Sequence, residues 1–166
     1  NDKKIKTKVN EYSKTLIQQI DTMSKIAEAF SSFAKMPVQH LELLDLDEVI
    51  EYVLDIFPKS YITFLKPSKK IKIQFDKDHL NRIITNLLKN AIQSIPEKID
   101  PKITVRLYDD NHTVFIEVED NGTGIEEVIS QKIFEPKFTT KTSGMGLGLA
   151  MVKNIIELYK GSISYE

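Results

Sequence analysis

Four short stretches of this sequence combine residue types that do chemistry. Asn86 and Asn90 stand four apart in Asn86-Leu87-Leu88-Lys89-Asn90-Ala91. Asp120 opens Asp120-Asn121-Gly122-Thr123-Gly124-Ile125. Phe134-Glu135-Pro136-Lys137-Phe138 follows, and then Gly144-Met145-Gly146-Leu147-Gly148-Leu149. The chain has six glycines, and five of them, at 122, 124, 144, 146 and 148, fall in the second and fourth stretches. Glycine is favoured where the backbone takes a positive φ or where another group must come close. Two glycine groups around a polar, proline-interrupted segment predict a loop that encloses something; a surface loop with flexible turns is the alternative. The second group runs into a largely apolar helical pattern through Leu147, Ala150, Met151, Asn154, Ile155 and Leu158. A helix with a glycine-rich first turn presents free amides and the positive end of its dipole, which suits phosphate.

The asparagines lie on a strongly periodic helix. Leu80, Ile83, Ile84, Leu87, Leu88, Ala91, Ile92 and Ile95 recur at i, i+3, i+4, i+7, i+8, i+11, i+12 and i+15, the pattern of one buried face. At about 100° per residue, Asn86 and Asn90 lie roughly 40° apart at the border of that face. Burying a bare amide costs about 1–3 kcal/mol. Two of them at a core margin suggest oxygens turned toward a ligand or a cation; two solvated amides are the alternative. Asp120 ends a strand read as central, so its carboxylate is expected to be paired or hydrogen-bonded.

The elements that position these stretches follow from the rest of the chain. Residues 1 to 36 hold no glycine or proline, and apolar or small residues recur at Ile5, Val9, Tyr12, Leu16, Ile20, Met23, Ala27, Phe30 and Ala34. Spacings of four and three make a heptad seam with one stutter. Such a rod expects a partner helix; a long core helix of one globule is the alternative. Pro37 ends it. Beyond it, Leu41 to Asp45 predicts a short strand, with Asp45 and Glu48 as a capping-box-like start for a helix carrying Val49, Ile50, Val53, Leu54 and Phe57. Tyr61 to Leu65 and Ile71 to Phe75 are expected strands around a Pro67-Ser68 turn, and Asp76 is the expected N-cap of the asparagine helix. Ile103 to Tyr108 and Val114 to Glu119 form a hairpin pattern.

Bulk properties narrow the class. The sequence has 166 residues and a formal net charge of −1, so nothing argues for nucleic acid or an anionic membrane. The lysine pairs Lys3-Lys4 and Lys69-Lys70 are read as solvated. There is no cysteine, which excludes disulfides and thiolate metal sites. No apolar stretch approaches the roughly 20 residues of a membrane span, and no signal peptide is visible. The chain opens inside a helical pattern and stops inside a strand-like one. A piece of a longer protein is therefore expected, cytoplasmic and without membrane contact of its own, from a parent that can carry an anchor.

Together the four stretches resemble the ATP-binding domain of sensor histidine kinases, in the superfamily that also holds type II topoisomerases, a heat-shock chaperone and mismatch-repair ATPases. Residues 86–91 resemble the asparagine box, 120–125 the first glycine box, 134–138 the phenylalanine box and 144–149 the second glycine box, in order and spacing over roughly residues 40 to 166. The helix ending Phe30-Ser31-Ser32-Phe33-Ala34-Lys35-Met36-Pro37 is similar to the second helix of the family's dimerisation hairpin, most of all in nitrogen-regulation-type kinases. The resemblance implies two domains, 1–37 as that helix and 38–166 as the catalytic domain. The implied fold is α+β, a two-layer α/β sandwich. Its mixed sheet is covered by three helices, from residues 46, 77 and 146 onward, behind the coiled-coil-like helix.

The resemblance also implies roles. Asn90 ligates Mg²⁺ through its oxygen, with Asn86 beside it near the phosphates and Lys89 in the same box. Asp120 accepts from the adenine amino group, Gly122 and Gly124 let the backbone approach the base, and Ile125 belongs to the same nucleotide-binding set. Phe134 and Phe138 hinge a lid bearing Thr139, Thr140 and Lys141. Lys141 is a candidate phosphate contact, with a solvated lid lysine as the alternative. Gly144, Met145, Gly146, Leu147 and Gly148 bring amides to the phosphates of ATP. Hydrolysing members of the superfamily carry a glutamate where this chain has Asn86, and an amide cannot take a proton from water at neutral pH. The implied chemistry is transfer of the γ-phosphate to a histidine on the hairpin of a homodimer, then onward to a response regulator. The acceptor sits on the first hairpin helix before an acidic residue. His40, His79 and His112 have no such context and are read as structural or solvated. The chain is therefore expected to bind Mg-ATP without phosphorylating itself. A degenerate nucleotide-binding dimerisation module and an ATP hydrolase of the same fold are the alternatives.

Overall fold

The glycine- and proline-free run forms one helix, α1 (Asp2–Ala34). In the computed structural model the described residues are 2–34, 39–110, 112–139 and 145–165. The chain divides into two compact units, residues 1–37 and 38–166. In the first unit Val9, Tyr12, Leu16, Ile20 and Met23 all expose their side chains along α1. The side chains of Ile5, Phe30 and Ala34, and Pro37 itself, lie outside the description.

The second unit runs β1 (Leu41–Asp45), α2 (Leu46–Leu54), a 3₁₀ turn (Lys59–Tyr61), β2 (Ile62–Leu65), β3 (Lys72–Asp76), α3 (Lys77–Ser94), β4 (Ile103–Asp109), β5 (Val114–Asp120), α4 (Glu127–Ser130) and α5 (Gly148–Leu158). The strands form two hydrogen-bonded groups. β1 pairs antiparallel with β3, while β2, β4 and β5 make a mixed sheet with β4 in the middle. β5 is thus an edge strand of that sheet among the described residues, not the central one expected. An alternating pattern tells which face of a strand is buried but not how many neighbours it has.

The apolar period of α3 does what the sequence predicts. Leu80, Ile83, Ile84, Leu88 and Ala91 are buried with Leu46, Val49, Ile50 and Val53 of α2, Ile103, Val105 and Leu107 of β4, and Val152 and Ile155 of α5. Each fully buried aliphatic side chain is worth about 1.5–3 kcal/mol. These helices over the strands are the two layers of the sandwich. The third helix starts at Gly148 rather than at 146.

Capping separates two aspartates that looked alike. The Asp76 carboxylate accepts from the His79 amide at 3.1 Å and caps α3. Asp45 precedes α2 but makes no cap bond. Its Oδ2 and Oε1 of Glu48 instead receive Lys70 Nζ, each at 2.8 Å. The expected capping box is therefore absent, and Lys70, exposed as expected, also bridges the two carboxylates. A charged donor from another segment outcompetes a neutral backbone amide for a carboxylate. The neighbouring Asp47 carboxyl first and Lys70 second hold the Asp45 carboxyl below its usual range.

Candidate functional site

The site is built along one ridge of α3. Asn86, Asn90 and Ser94 follow at i, i+4 and i+8 and rise together about 12 Å. Asn86 is half-buried, and its Nδ2 donates to the Arg82 carbonyl at 2.8 Å. That bond turns Oδ1 away from the helix backbone and toward the start of α5. A Cβ added to Gly148 would lie 2.9 Å from this oxygen, so glycine is what lets the two elements meet. Asn90 is half-buried, and its side chain hydrogen-bonds no other described residue. Lys89 faces solvent.

The last turn of α3 meets the loop after β5. Asp120 is exposed, contrary to the partly desolvated carboxylate expected, because β5 lies at the sheet edge. It is hydrogen-bonded as predicted: Oδ1 accepts from the Gly122 amide at 2.8 Å and lies 2.7 Å from Ser94 Oγ. The Thr123 amide donates to the Ser94 carbonyl at 3.2 Å. A Cβ on Gly122 would sit 2.0 Å from Ser94 Oγ, so this glycine answers to a close approach. Gly124 differs: its φ is +72° with nothing near a Cβ, so backbone conformation alone selects it. Asn121 clamps the loop before β4, accepting from the Lys102 amide at 2.8 Å and donating to the Asp100 carbonyl at 3.0 Å. Ile125 is exposed.

Beyond this loop comes α4, which no sequence pattern announced, and a series of turns. Phe134 and Phe138 are half-buried, Ile133 is buried and Thr139 is exposed. The Lys137 amide donates to the Gly146 carbonyl at 2.8 Å. Gly146 has a φ of +64°, and a Cβ there would meet the Lys137 and Phe138 backbone at 2.5 Å. This contact draws the two ends of the segment between the phenylalanine and second glycine stretches together. Met145 is exposed and Leu147 buried. Thr140, Lys141 and Gly144 lie outside the described residues. Leu147 stands before α5 without a side-chain cap, and the first helical bond runs from the Met151 amide to the Leu147 carbonyl. The preceding amides of the first turn have no i−4 carbonyl to bond.

Residues 75–166 match the family described as histidine kinase-, DNA gyrase B- and HSP90-like ATPases. The chain belongs to this family. It is an ATP-binding domain, and its likeness is to the kinase members. It is 30% identical over 159 residues to the signal transduction histidine-protein kinase AtoS of Escherichia coli, covering 92% of this chain and 26% of that protein. It is 30% identical to the nitrogen regulation protein NtrY of Azorhizobium caulinodans, over 90% of this chain and 20% of that protein. Sporulation kinase B of Bacillus subtilis is 29% identical over 99% of this chain and 40% of its own length. The chain thus spans between 20% and 40% of the length of these three curated relatives. Among solved structures, the catalytic domain of histidine kinase ThkA superposes with a TM-score of 0.63 at 32% identity, over 71% of this chain and 80% of that one. ThkA in complex with the response regulator protein TrrA gives 0.68 at 25% identity, over 90% of this chain and 44% of that one.

Within this ATP-binding family, the asparagine and first glycine stretches meet here through Ser94, which no motif contains. The sequence carries a signal for it, since Ser94 continues the ridge of Asn86 and Asn90 by one more turn. One of the three histidines is built into the core and two are exposed. His79 is buried with Nδ1 2.9 Å from Tyr159 Oη. The His40 amide donates to Asp76 Oδ2 at 2.8 Å. His112 is exposed in the β4–β5 turn. No described helix is long and apolar enough to cross a membrane.

Proposed function

We propose that residues 38–166 are the catalytic ATP-binding domain of a cytoplasmic sensor histidine kinase, passing the γ-phosphate of magnesium-bound ATP to a histidine on a dimerisation helix. The observation that carries this reading is the gathering of the motifs on one helix. Asn86 lies under the start of α5, Asn90 follows one turn on, and the last turn of α3 holds the Asp120 loop. Residues 1–37 are read as the second helix of the dimerisation hairpin, whose exposed seam suits a partner helix of a second copy.

Asn90 Oδ1 is the protein's ligand for Mg²⁺. The fit is good: the side chain has no described protein partner. Among the described residues no cluster of three His, Cys, Asp or Glu competes for a metal. Magnesium bound to a nucleotide takes one or two protein oxygens and completes its shell with phosphates and water. When bound, it screens the charge of the transferred group. Asp120 accepts from the adenine amino group, with Gly122, Gly124 and Ile125 against the base. The free amides around Leu147 and Gly148 hold phosphate oxygens, helped by Asn86, Lys89, Gly144, Met145 and Gly146. Thr139, Thr140 and Lys141 form the lid between the hinges Phe134 and Phe138, and Lys141 neutralises phosphate charge. Asn86 is an amide already donating to Arg82, so it is no base for water, and transfer is favoured over hydrolysis. A response regulator as the final acceptor is supported by the likeness to ThkA bound to TrrA.

The test supplies a separate hairpin that carries an acceptor histidine, with this chain and γ-labelled Mg-ATP. Acid-labile label on the hairpin is expected, and none when Asp120 is replaced by alanine. A folded chain that takes up Mg-ATP yet leaves every such hairpin unlabelled, while releasing phosphate steadily, would overturn transfer in favour of hydrolysis.

A further inference from the structure

Ser94 stands outside every recognised motif, yet the contacts of Asp120 converge on it. Its Oγ lies 2.7 Å from Asp120 Oδ1 and 2.7 Å from the Ala91 carbonyl oxygen. A hydroxyl has one proton to donate, and an ionised carboxylate is the stronger acceptor of the two. Oγ therefore donates to Oδ1, which also receives the Gly122 amide at 2.8 Å. Both donors occupy the same oxygen, and no described residue hydrogen-bonds Oδ2. Asp120 is exposed at the end of an edge strand, where an unrestrained carboxylate turns freely about its side-chain torsions. Two donors on one oxygen decide which oxygen faces outward. The loop is shaped around this contact, since a Cβ on Gly122 would fall 2.0 Å from Ser94 Oγ.

We infer that Ser94 is a positioning residue that sets the base preference of this site, by pinning Asp120 Oδ1 so that Oδ2 stands as a fixed acceptor. The inference rests on the reading of Asp120 as the adenine contact. Adenine carries an exocyclic amine that donates to such an oxygen, whereas guanine carries a carbonyl oxygen at the same ring position. A fixed acceptor accepts from the first and repels the second. A carboxylate free to turn relieves the repulsion and gives up part of the attraction, because pre-organisation is where such a contact gains its selectivity.

The test is calorimetric titration of the whole chain with Mg-ATP and with Mg-GTP, the fold being followed by circular dichroism. Ser94→Ala is expected to weaken ATP about tenfold and GTP much less, so that the ATP-to-GTP affinity ratio narrows about tenfold. Ser94→Thr keeps the hydroxyl and is expected to keep the wild-type ratio. A merely structural role weakens both nucleotides alike. An unchanged ratio in Ser94→Ala, equal weakening of both nucleotides, or a Ser94→Thr protein indistinguishable from Ser94→Ala would each overturn the inference. The underlying reading fails separately. It falls if the wild type takes up no ATP, or if Asp120→Ala binds ATP as the wild type does. If Asp120→Ala loses ATP while Ser94→Ala keeps the ratio, only the role of Ser94 is lost.

Discussion

The two ends of α3 are both ringed with polar side chains, and they are built in opposite ways. At its N-terminus Asp76 is buried and accepts from the amides of His79 and His40. His79 is 1% exposed and bonded through Nδ1 to Tyr159, whose ring stacks on Phe75 at 3.6 Å. The Asp76 oxygens, the His40 and His79 amides and His79 Nδ1 are thus paired inside the fold. Toward the C-terminus, the Asn90 side chain and Oδ2 of Asp120 have no such partner among the described residues, while Ser94 and the Gly122 amide hold the other oxygen of Asp120. Burying polar atoms is tolerable when they are paired. Polar atoms oriented but left open at a surface are instead poised for a ligand. The same helix thus carries a fastening at one end and, in the function proposed, a binding edge along the other.

The comparison is broken most directly at the open edge. Asp120→Ala is expected to lower Mg-ATP affinity about a hundredfold in calorimetry, since hydrogen bonds to charged groups are among the stronger ones. Its melting temperature should stay close to wild type. A variant that melts early but binds ATP normally once folded would reverse the assignment of the two ends.

The closed end should respond in the opposite sense. Asp76→Ala is expected to cost about 2 kcal/mol of stability, the upper range for a lost N-cap, measured by denaturant unfolding, with ATP affinity intact. Burial alone pushes the Asp76 carboxyl up. The His40 and His79 amides and the His79 charge outweigh it and hold the carboxyl below its ordinary value of 3.8. A depressed folded value means that the stabilisation is complete above the ordinary aspartate range and drains away as pH falls through the folded value. The stability gap between wild type and Asp76→Asn is therefore expected to shrink on acidification into that range. A gap independent of pH would remove the electrostatic part of the fastening.

Smaller effects sharpen the boundary between the two ends. Gly148→Ala brings a methyl group to within 2.9 Å of Asn86 Oδ1. It is expected to weaken Mg-ATP about tenfold while costing little stability, because alanine favours a helix more than glycine does. Unchanged affinity would detach Asn86 from the site. Tyr159→Phe leaves His79 Nδ1 without its partner and is expected to cost about 1 kcal/mol of stability, with no effect on nucleotide. Burial pushes the Tyr159 phenol up, so alkaline difference spectroscopy should find this tyrosine among the last to ionise.

Much of the framework was legible without coordinates. The span of β1 came out at the residues expected, and α3 and the β4–β5 hairpin came out within a residue or so, the latter two because their apolar periods are long or alternating. The Asp45 cap was misjudged because its competitor, Lys70, is 25 residues away. The short helix α4 has too few residues for any period to register. Thr140, Lys141 and Gly144, read from the motifs alone, rest on the family likeness.

What the sequence by itself determined is the direction of side chains relative to their own backbone. The period of α3 commits Leu80 to Ala91 to the core and so leaves Asn86, Asn90 and Ser94 on one ridge. Only the tertiary structure decided what that ridge touches: that Gly148 approaches Asn86, that β5 lies at the sheet edge, and that Ser94 and Gly122 share one oxygen of Asp120. Helical and strand periodicity is a property of neighbours along the chain. Which atom meets which across 26 residues depends on how the layers close-pack, and no local pattern encodes that.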